Sequence, residues 1–244
     1  MPRNMPVNQN QPNAVPSDQP PILFVRRLGR GELPMQTVAL ARFLIGKVIV
    51  RELDGERLAG RIVETEAYPP GDPAAHHFRG PTPRNRSMFL HRGYAYVYFS
   101  YGNHFMFNVS SEAPGVGGGV LIRALEPLVG IPLMQTHRKT GRLLDLTRGP
   151  GRLACALQID RRLDGCDLCV SGPLWLGEQV STKRVAPDTA CLTVGPRASG
   201  AALGAVLLAI GRSPRIGITR AAHRILRFYE RRNPFVSGPL RLRS

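Results

Sequence analysis

The segment Gly60-Arg61-Ile62-Val63-Glu64-Thr65-Glu66-Ala67-Tyr68 alternates in character as a half-buried strand does. Side chains two apart share one face of a strand, so Glu64, Glu66 and Tyr68 point the same way. A loop containing Ala74-Ala75-His76 follows directly. A face carrying two carboxylates and an aromatic ring packs poorly but suits chemistry. Like charges held that close push the pKa of one carboxyl upward, which favours a general base acting on water near neutral pH. The bland alternative is an edge strand whose glutamates are solvated, since carboxylates also gather in structural ion-pair networks.

Charge narrows the partner. The 244-residue chain has a formal net charge of +16 at pH 7, and so basic a protein suits a polyanion, nucleic acid first and an anionic membrane surface second. Nearly all of the cations are arginines; the only lysines are Lys47, Lys139 and Lys183. Arginine fits bidentate phosphate contact, and genome composition would explain it equally well. No apolar run is long enough to span a bilayer, and Met1 to Pro21 lacks the apolar core of a signal peptide, so a cytoplasmic protein is expected. With 43% hydrophobic residues, one substantial domain is expected. The cysteines are Cys155, Cys166, Cys169 and Cys191. Cys166 and Cys169 form a lone CxxC, a weak metal signal without a second pair, so no metal and no cofactor are expected.

Residues 1–24 read as a disordered Asn/Gln/Pro-rich tail, with residues 25–244 as one folded domain. Thr37 is expected to cap a short helix through Leu44 that Gly46 ends, and Lys47 to Arg51 reads as a strand. Pro69 to Ser87 is a long Pro/Gly/Arg/His loop, and loops of that length are usually functional. Tyr94 to Tyr101 is an aromatic strand; Gly102-Asn103 supplies turn chemistry and His104 to Val109 returns as its partner. A plain two-residue turn there would put Tyr98 and Asn108 on opposite faces, so an odd-length turn or a bulge is expected if both serve one pocket. Gly118 to Ala124 is a strand carrying Arg123 in an apolar run, where a charge is either paired or functional. Gly149-Pro150-Gly151 precedes a helix at Arg152 to Gln158, suiting either a bound phosphate or ordinary helix entry. Residues 181–205 read as a loop insertion, and Ser213 to Ile218 as a turn and short strand.

Taken in order, Arg61-Ile62-Val63-Glu64-Thr65-Glu66-Ala67-Tyr68, Thr82-Pro83-Arg84-Asn85, Tyr96-Val97-Tyr98 with Tyr101-Gly102, Arg123-Ala124-Leu125-Glu126-Pro127, Gly149-Pro150-Gly151, Ser213-Pro214-Arg215-Ile216-Gly217 and Asn233-Pro234-Phe235-Val236-Ser237 closely resemble the alkyladenine (3-methyladenine) DNA glycosylase family in its bacterial form. The resemblance covers roughly Leu28 to Ser237. It implies a single α+β domain with a curved, mainly antiparallel sheet, surrounding helices and a protruding aromatic hairpin. It further implies a monomeric, nucleoid-associated enzyme that flips alkylated or deaminated purines out of duplex DNA and hydrolyses the bond from base to sugar. By the same resemblance Glu66 is the general base, while Arg123 and His76 position the water and the sugar. Tyr68, His76 and Tyr98 are the stacking walls, Asn108 crowds the 2-amino group of guanine, and Tyr101 fills the gap left in the duplex. Arg84, Gly149, Gly151 and Arg215 are assigned to the DNA backbone.

The chemistry suits these residue types. A carboxylate stabilises an oxocarbenium-like sugar and takes a proton from water. An electron-rich pocket favours a cationic alkylated purine. No lysine lies between Glu64 and Arg123, so hydrolysis without Schiff-base lyase activity is expected. Pro132 interrupts a region where the family pattern suggests a continuous helix, and Arg220 and His223 place unusual charge near the C-terminal motifs. Two rival readings are a non-enzymatic binder with an aromatic platform and a metal-dependent nuclease built on Glu64, Glu66, His76 and His77.

Overall fold

The computed structural model describes residues 22–100, 102–180, 189–193 and 209–238. Its centre is β3 (Glu56–Tyr68), the long strand that carries the paired glutamates. One edge of β3 pairs along its length with β6 (Gly119–Val129). The other edge pairs with β2 (Val48–Leu53) at its first half and with β10 (Arg227–Glu230) across Glu64 to Glu66. The glutamates therefore stand on an interior strand, which removes the edge-strand alternative.

Around this axis runs an open ten-stranded sheet in the order β4-β5-β6-β3-β2-β7-β1-β8, with β9 (Ile210–Ser213) joined through β10. The remaining strands are β1 (Ile22–Arg27), β4 (Ala95–Ser100), β5 (His104–Ser110), β7 (Leu174–Val180) and β8 (Thr189–Thr193). Every pairing is antiparallel. The helices α1 (Thr37–Phe43), α2 (Ile131–Arg138) and α3 (Pro150–Ala156) supply part of the main core, with Leu40, Met134 and Leu153 meeting Ile62, Phe107 and Ile122 from the strands. A second cluster forms around Val25, Val50, Ala59 and Trp175.

Several expectations are corrected. β1 starts at Ile22, inside the range assigned to the tail. Thr37 is the first residue of α1 and does not cap it; its backbone N–H and its hydroxyl both donate to Glu112, 2.8 and 2.6 Å away. Pro132 opens α2, where a missing N–H costs nothing, and the stretch through Pro127 belongs to β6. Within the expected insertion 181–205, residues 189–193 form β8 and pair with β1. The short strand expected at Ser213 to Ile218 lies earlier, at Ile210–Ser213, and the residues after it form a loop.

The aromatic hairpin has the odd-length turn: Ser100 pairs with His104, leaving residues 101–103 as the connection. Tyr98 is then opposite Met106 and Tyr96 opposite Asn108, so Tyr96, Tyr98 and Asn108 share a face. β4 is the terminal strand of the sheet, and side chains cover its open edge. Val97 N–H donates to Asp164 at 2.9 Å, Arg161 donates to the Val97 carbonyl at 2.6 Å and Arg84 to the Phe99 carbonyl at 3.0 Å.

Candidate active site

Where β3 and β6 meet, the ladder shifts register on both sides of Glu64, which stands opposite Ala124 between the pairs Ile62–Leu125 and Thr65–Ile122. Arg123, the neighbour of Ala124, reaches Glu64 across this irregularity. Arg123 Nε donates to Glu64 Oε1 at 2.9 Å, and its Nη1 lies 3.2 Å from Glu66 Oε1. The two carboxylates are thus not a bare like-charge pair, because a guanidinium bridges them. Burial works against the charge on Arg123, but Glu66 and Glu64 outweigh it and raise its pKa.

Glu64 and Glu66 have the same chemistry and different surroundings. Glu64 is fully buried and takes donors from Arg123, from Arg227 Nε at 2.6 Å, and from the backbone N–H and hydroxyl of Ser237 at 2.6 and 2.9 Å. Three of these donors meet at Oε1, and Glu64 serves as a clamp between β3, β6, β10 and the segment ending at Ser237. Glu66 Oε1 faces Arg123 and accepts the Ile216 N–H at 2.7 Å. Among the described residues its Oε2 accepts one hydrogen bond, from the Tyr68 hydroxyl at 3.0 Å. Each carboxylate oxygen offers two acceptor sites, so Oε2 keeps capacity for one further donor.

Above this pair opens a cavity of about 340 Å³ lined by Tyr68, His76, Tyr96, Tyr98, Asn108 and Arg123, with Ile216 to Arg220 and Pro150 among its remaining walls. The size falls in the usual range for small-molecule sites. Its aromatic wall is ordered. Tyr96 and Tyr98 stack with centroids 5.3 Å apart, and His76 meets Tyr98 edge-on at 4.4 Å. The Tyr96 hydroxyl lies 2.9 Å from His76 Nδ1. Burial, then the nearby Arg84, lowers the His76 pKa, while burial raises that of Tyr96. The imidazole is therefore held neutral near pH 7 and shares one hydrogen bond with the Tyr96 hydroxyl at Nδ1. Asn108 Nδ2 donates to the Tyr96 carbonyl at 3.2 Å, fixing the amide against the opposite strand. The buried Asn85 side chain donates to the carbonyls of His76 and Gly80, which holds the loop bearing His76.

The expected pocket residues Tyr68, His76, Tyr98 and Asn108 therefore line one cavity with Arg123, while Glu66 is fully buried just behind the lining residues Tyr68, Arg123 and Ile216 that contact it. Tyr101 lies outside the described residues. Arg84 is exposed beside the hairpin. Two assignments to the DNA backbone are corrected. Arg215 has a fully buried side chain, 2.6 Å from Asp72, with its guanidinium over the Tyr68 ring. Gly151 is buried beneath His104, whose ring carbon lies 2.7 Å from where a Cβ would stand; its missing side chain makes room for the hairpin. Gly149 stays half-exposed at the start of α3, with a φ of 133°.

Reasoning from sequence missed four contributors. Tyr96 was legible, since it shares a face with Tyr98. Ser237 stood in the motif Asn233 to Ser237 without a role, and Arg227 belonged to none of the motifs. The Ile216 amide gave no signal, because backbone N–H groups leave no trace in residue identity. The residues suggested for a metal nuclease do not cluster: Glu64 and Glu66 are taken up by arginines, and His77 faces the Pro69 carbonyl at 3.1 Å. Among the described residues no group of three or more His, Cys, Asp or Glu side chains is placed to hold a metal ion.

The model of the family described as methylpurine-DNA glycosylase (MPG) matches residues 32–199. A protein of Mesorhizobium japonicum is 55% identical over 227 residues, 93% of this chain and 95% of its own length. One from Paraburkholderia phytofirmans is 45% identical, covering 87% of this chain and 89% of its own. One from Methanoculleus marisnigri is 42% identical, covering 82% of this chain and 93% of its own. Each bears the name "Putative 3-methyladenine DNA glycosylase".

Proposed function

This chain belongs to the methylpurine-DNA glycosylase family, and on that footing we propose that it releases alkylated or deaminated purines from duplex DNA by flipping them into the cavity over Glu66. The single observation that carries the reading is that Glu66 is held by Tyr68, Arg123 and Ile216, all of which line the cavity, whereas Glu64 is tied up by two arginines and Ser237.

Flipping a base costs a few kcal/mol of lost stacking and pairing, and stacking on an aromatic side chain returns about 1–3 kcal/mol per base. Tyr68, His76 and Tyr98 are the stacking surfaces, and Tyr101 fills the vacated place in the duplex. Water attacks C1′ and gives its proton to Glu66, while the electron pair of the C1′–N bond leaves with the base. Glu66 also stabilises the positive charge that develops on the sugar. Arg123 and His76 orient water and sugar. Asn108 stands where the 2-amino group of guanine would press against it. Arg84 and the amides near Gly149 contact the backbone. Among the described residues no lysine lines the cavity, and the reading is direct hydrolysis without a lyase step. The enzyme acts as a monomer.

The test is base release from an alkylated duplex in excess chelator. Release that survives chelation, leaving an abasic strand intact until alkali is added, is expected. A chelator-sensitive nick would mark a nuclease, and binding without release a non-enzymatic platform. A panel of single-lesion duplexes carrying 3-methyladenine, 7-methylguanine, hypoxanthine or ethenoadenine then ranks the substrates.

A further inference from the structure

Arg215 and Asp72 form a fully buried ion pair outside the catalytic constellation, with Nη1 to Oδ2 at 2.6 Å and Nη2 to Oδ1 at 3.1 Å. Arg215 does not line the cavity. Its guanidinium carbon lies 4.5 Å from the centroid of the Tyr68 ring, so it backs the ring whose other surroundings include the cavity. Its Nη1 also donates to the Ala67 carbonyl at 3.0 Å, between Glu66 and Tyr68 in the chain. The next residue, Ile216, delivers its N–H to Glu66. Asp72 Oδ1 accepts the Ala74 N–H at 2.9 Å, at the root of the loop that ends in His76. The half-exposed Arg224 approaches Asp72 Oδ2 at 3.4 Å.

A buried ion pair is weak evidence for stability alone, because apolar residues of similar volume often serve as well. This one touches both walls of the cavity and the backbone beside the catalytic carboxylate. We propose that Arg215 is a positioning residue for Tyr68 and the Ile216 amide, and that Asp72 cancels its charge so that the pocket accepts cationic as well as neutral bases. The proposal rests on the reading of the cavity as a base pocket. A purine stacked on Tyr68 would lie roughly 8 Å from the guanidinium. Two unit charges at that distance, inside a partly buried site, shift a rate or affinity on the order of tenfold if nothing neutralises one of them.

The experiment measures single-turnover excision of 7-methylguanine, which is cationic, and hypoxanthine, which is neutral, from matched duplexes. Asp72→Asn is expected to lower the ratio of the first rate to the second about tenfold relative to wild type. Arg215→Lys keeps the charge but loses the planar fork and the stacking, so both rates fall about tenfold with the ratio held within about twofold. Arg215→Met removes the cation and moves the ratio in the opposite direction from Asp72→Asn. For a wild type that releases only one of the two bases, the prediction is read on that rate: Asp72→Asn reduces it about tenfold for 7-methylguanine and leaves it within about twofold for hypoxanthine. A folded Asp72→Asn with the wild-type pattern overturns the inference while leaving the base-pocket reading intact. Unfolding of all three variants overturns it too, by making the pair an element of the fold. A wild type that releases neither base removes the base-pocket reading, and the inference with it.

Discussion

Replacing Glu66 by glutamine preserves almost every contact at the site, which makes its effect on catalysis interpretable. The amide oxygen can still accept the Ile216 N–H that now binds Oε1 at 2.7 Å, and the new NH₂ can donate to the Tyr68 oxygen that now donates to Oε2 at 3.0 Å. Arg123 keeps Glu64 at 2.9 Å as a counter-ion. What disappears is a proton acceptor and a negative charge next to the reacting sugar. Removal of a general base costs about 10²–10⁴-fold, and at about 1.4 kcal/mol per decade this is a barrier increase of roughly 3–5 kcal/mol. The assay is single-turnover excision with enzyme in excess over a lesion duplex, alongside fluorescence anisotropy with the same duplex. Excision should fall by that factor, with lesion affinity within about threefold of wild type, since stacking on Tyr68, His76 and Tyr98 is untouched. A wild-type rate for Glu66→Gln would refute the assignment of the base.

Glu64→Gln should act on stability instead: breaking a fully buried ion-paired network costs about 3–5 kcal/mol, read as a large fall in the thermal midpoint. Binding of undamaged duplex should weaken with salt, and Arg84→Ala should reduce the slope of log K against log salt by about 0.9; Arg215→Ala should leave the slope unchanged and lower the thermal midpoint, because its guanidinium is buried against Asp72. Gly151→Ala forces a Cβ to within 2.7 Å of the His104 ring, and overpacking of this kind costs about 1–3 kcal/mol, measurable by denaturant titration. Burial lowers the pKa of His76 and His77 in the fold. The unfolded chain therefore binds more protons over the window below about pH 6.5, so stability should decline as the pH falls through it, and His76→Gln should flatten that decline in thermal melts at pH 7.5 and 5.5.

The parts of the site that the sequence disclosed were those governed by strand periodicity. Alternation alone put Glu64, Glu66 and Tyr68 on one face, and the need for Tyr98 and Asn108 to share a face called for an odd-length turn, which the pairing of Ser100 with His104 provides. Distinguishing Glu64 from Glu66 was a different matter. Residue type gives no preference between them; the difference arises from Arg227, Ser237 and the Ile216 amide, all far along the chain. Arg215 in a Pro-bounded turn had the look of a surface residue, because nothing local announces a buried carboxylate 143 residues away. The short strands β8 and β9 carry too few residues for a periodic signal and depend on β1 and β10 for their hydrogen bonds.

The clamp on Glu64 also bears on when the molecule becomes competent. Its hydroxyl partner Ser237 is 173 residues away, and closing so long a loop comes late and slowly in folding. A chain emerging from the ribosome would hold the aromatic hairpin and the strand with both glutamates well before the segment that fixes Arg123 between them. Until that segment docks, a buried carboxylate and two arginines lack their proper partners, and the geometry over Glu66 is not yet set. The geometry over Glu66 is thereby set only once a segment 173 residues downstream of Glu64 has been made and has docked.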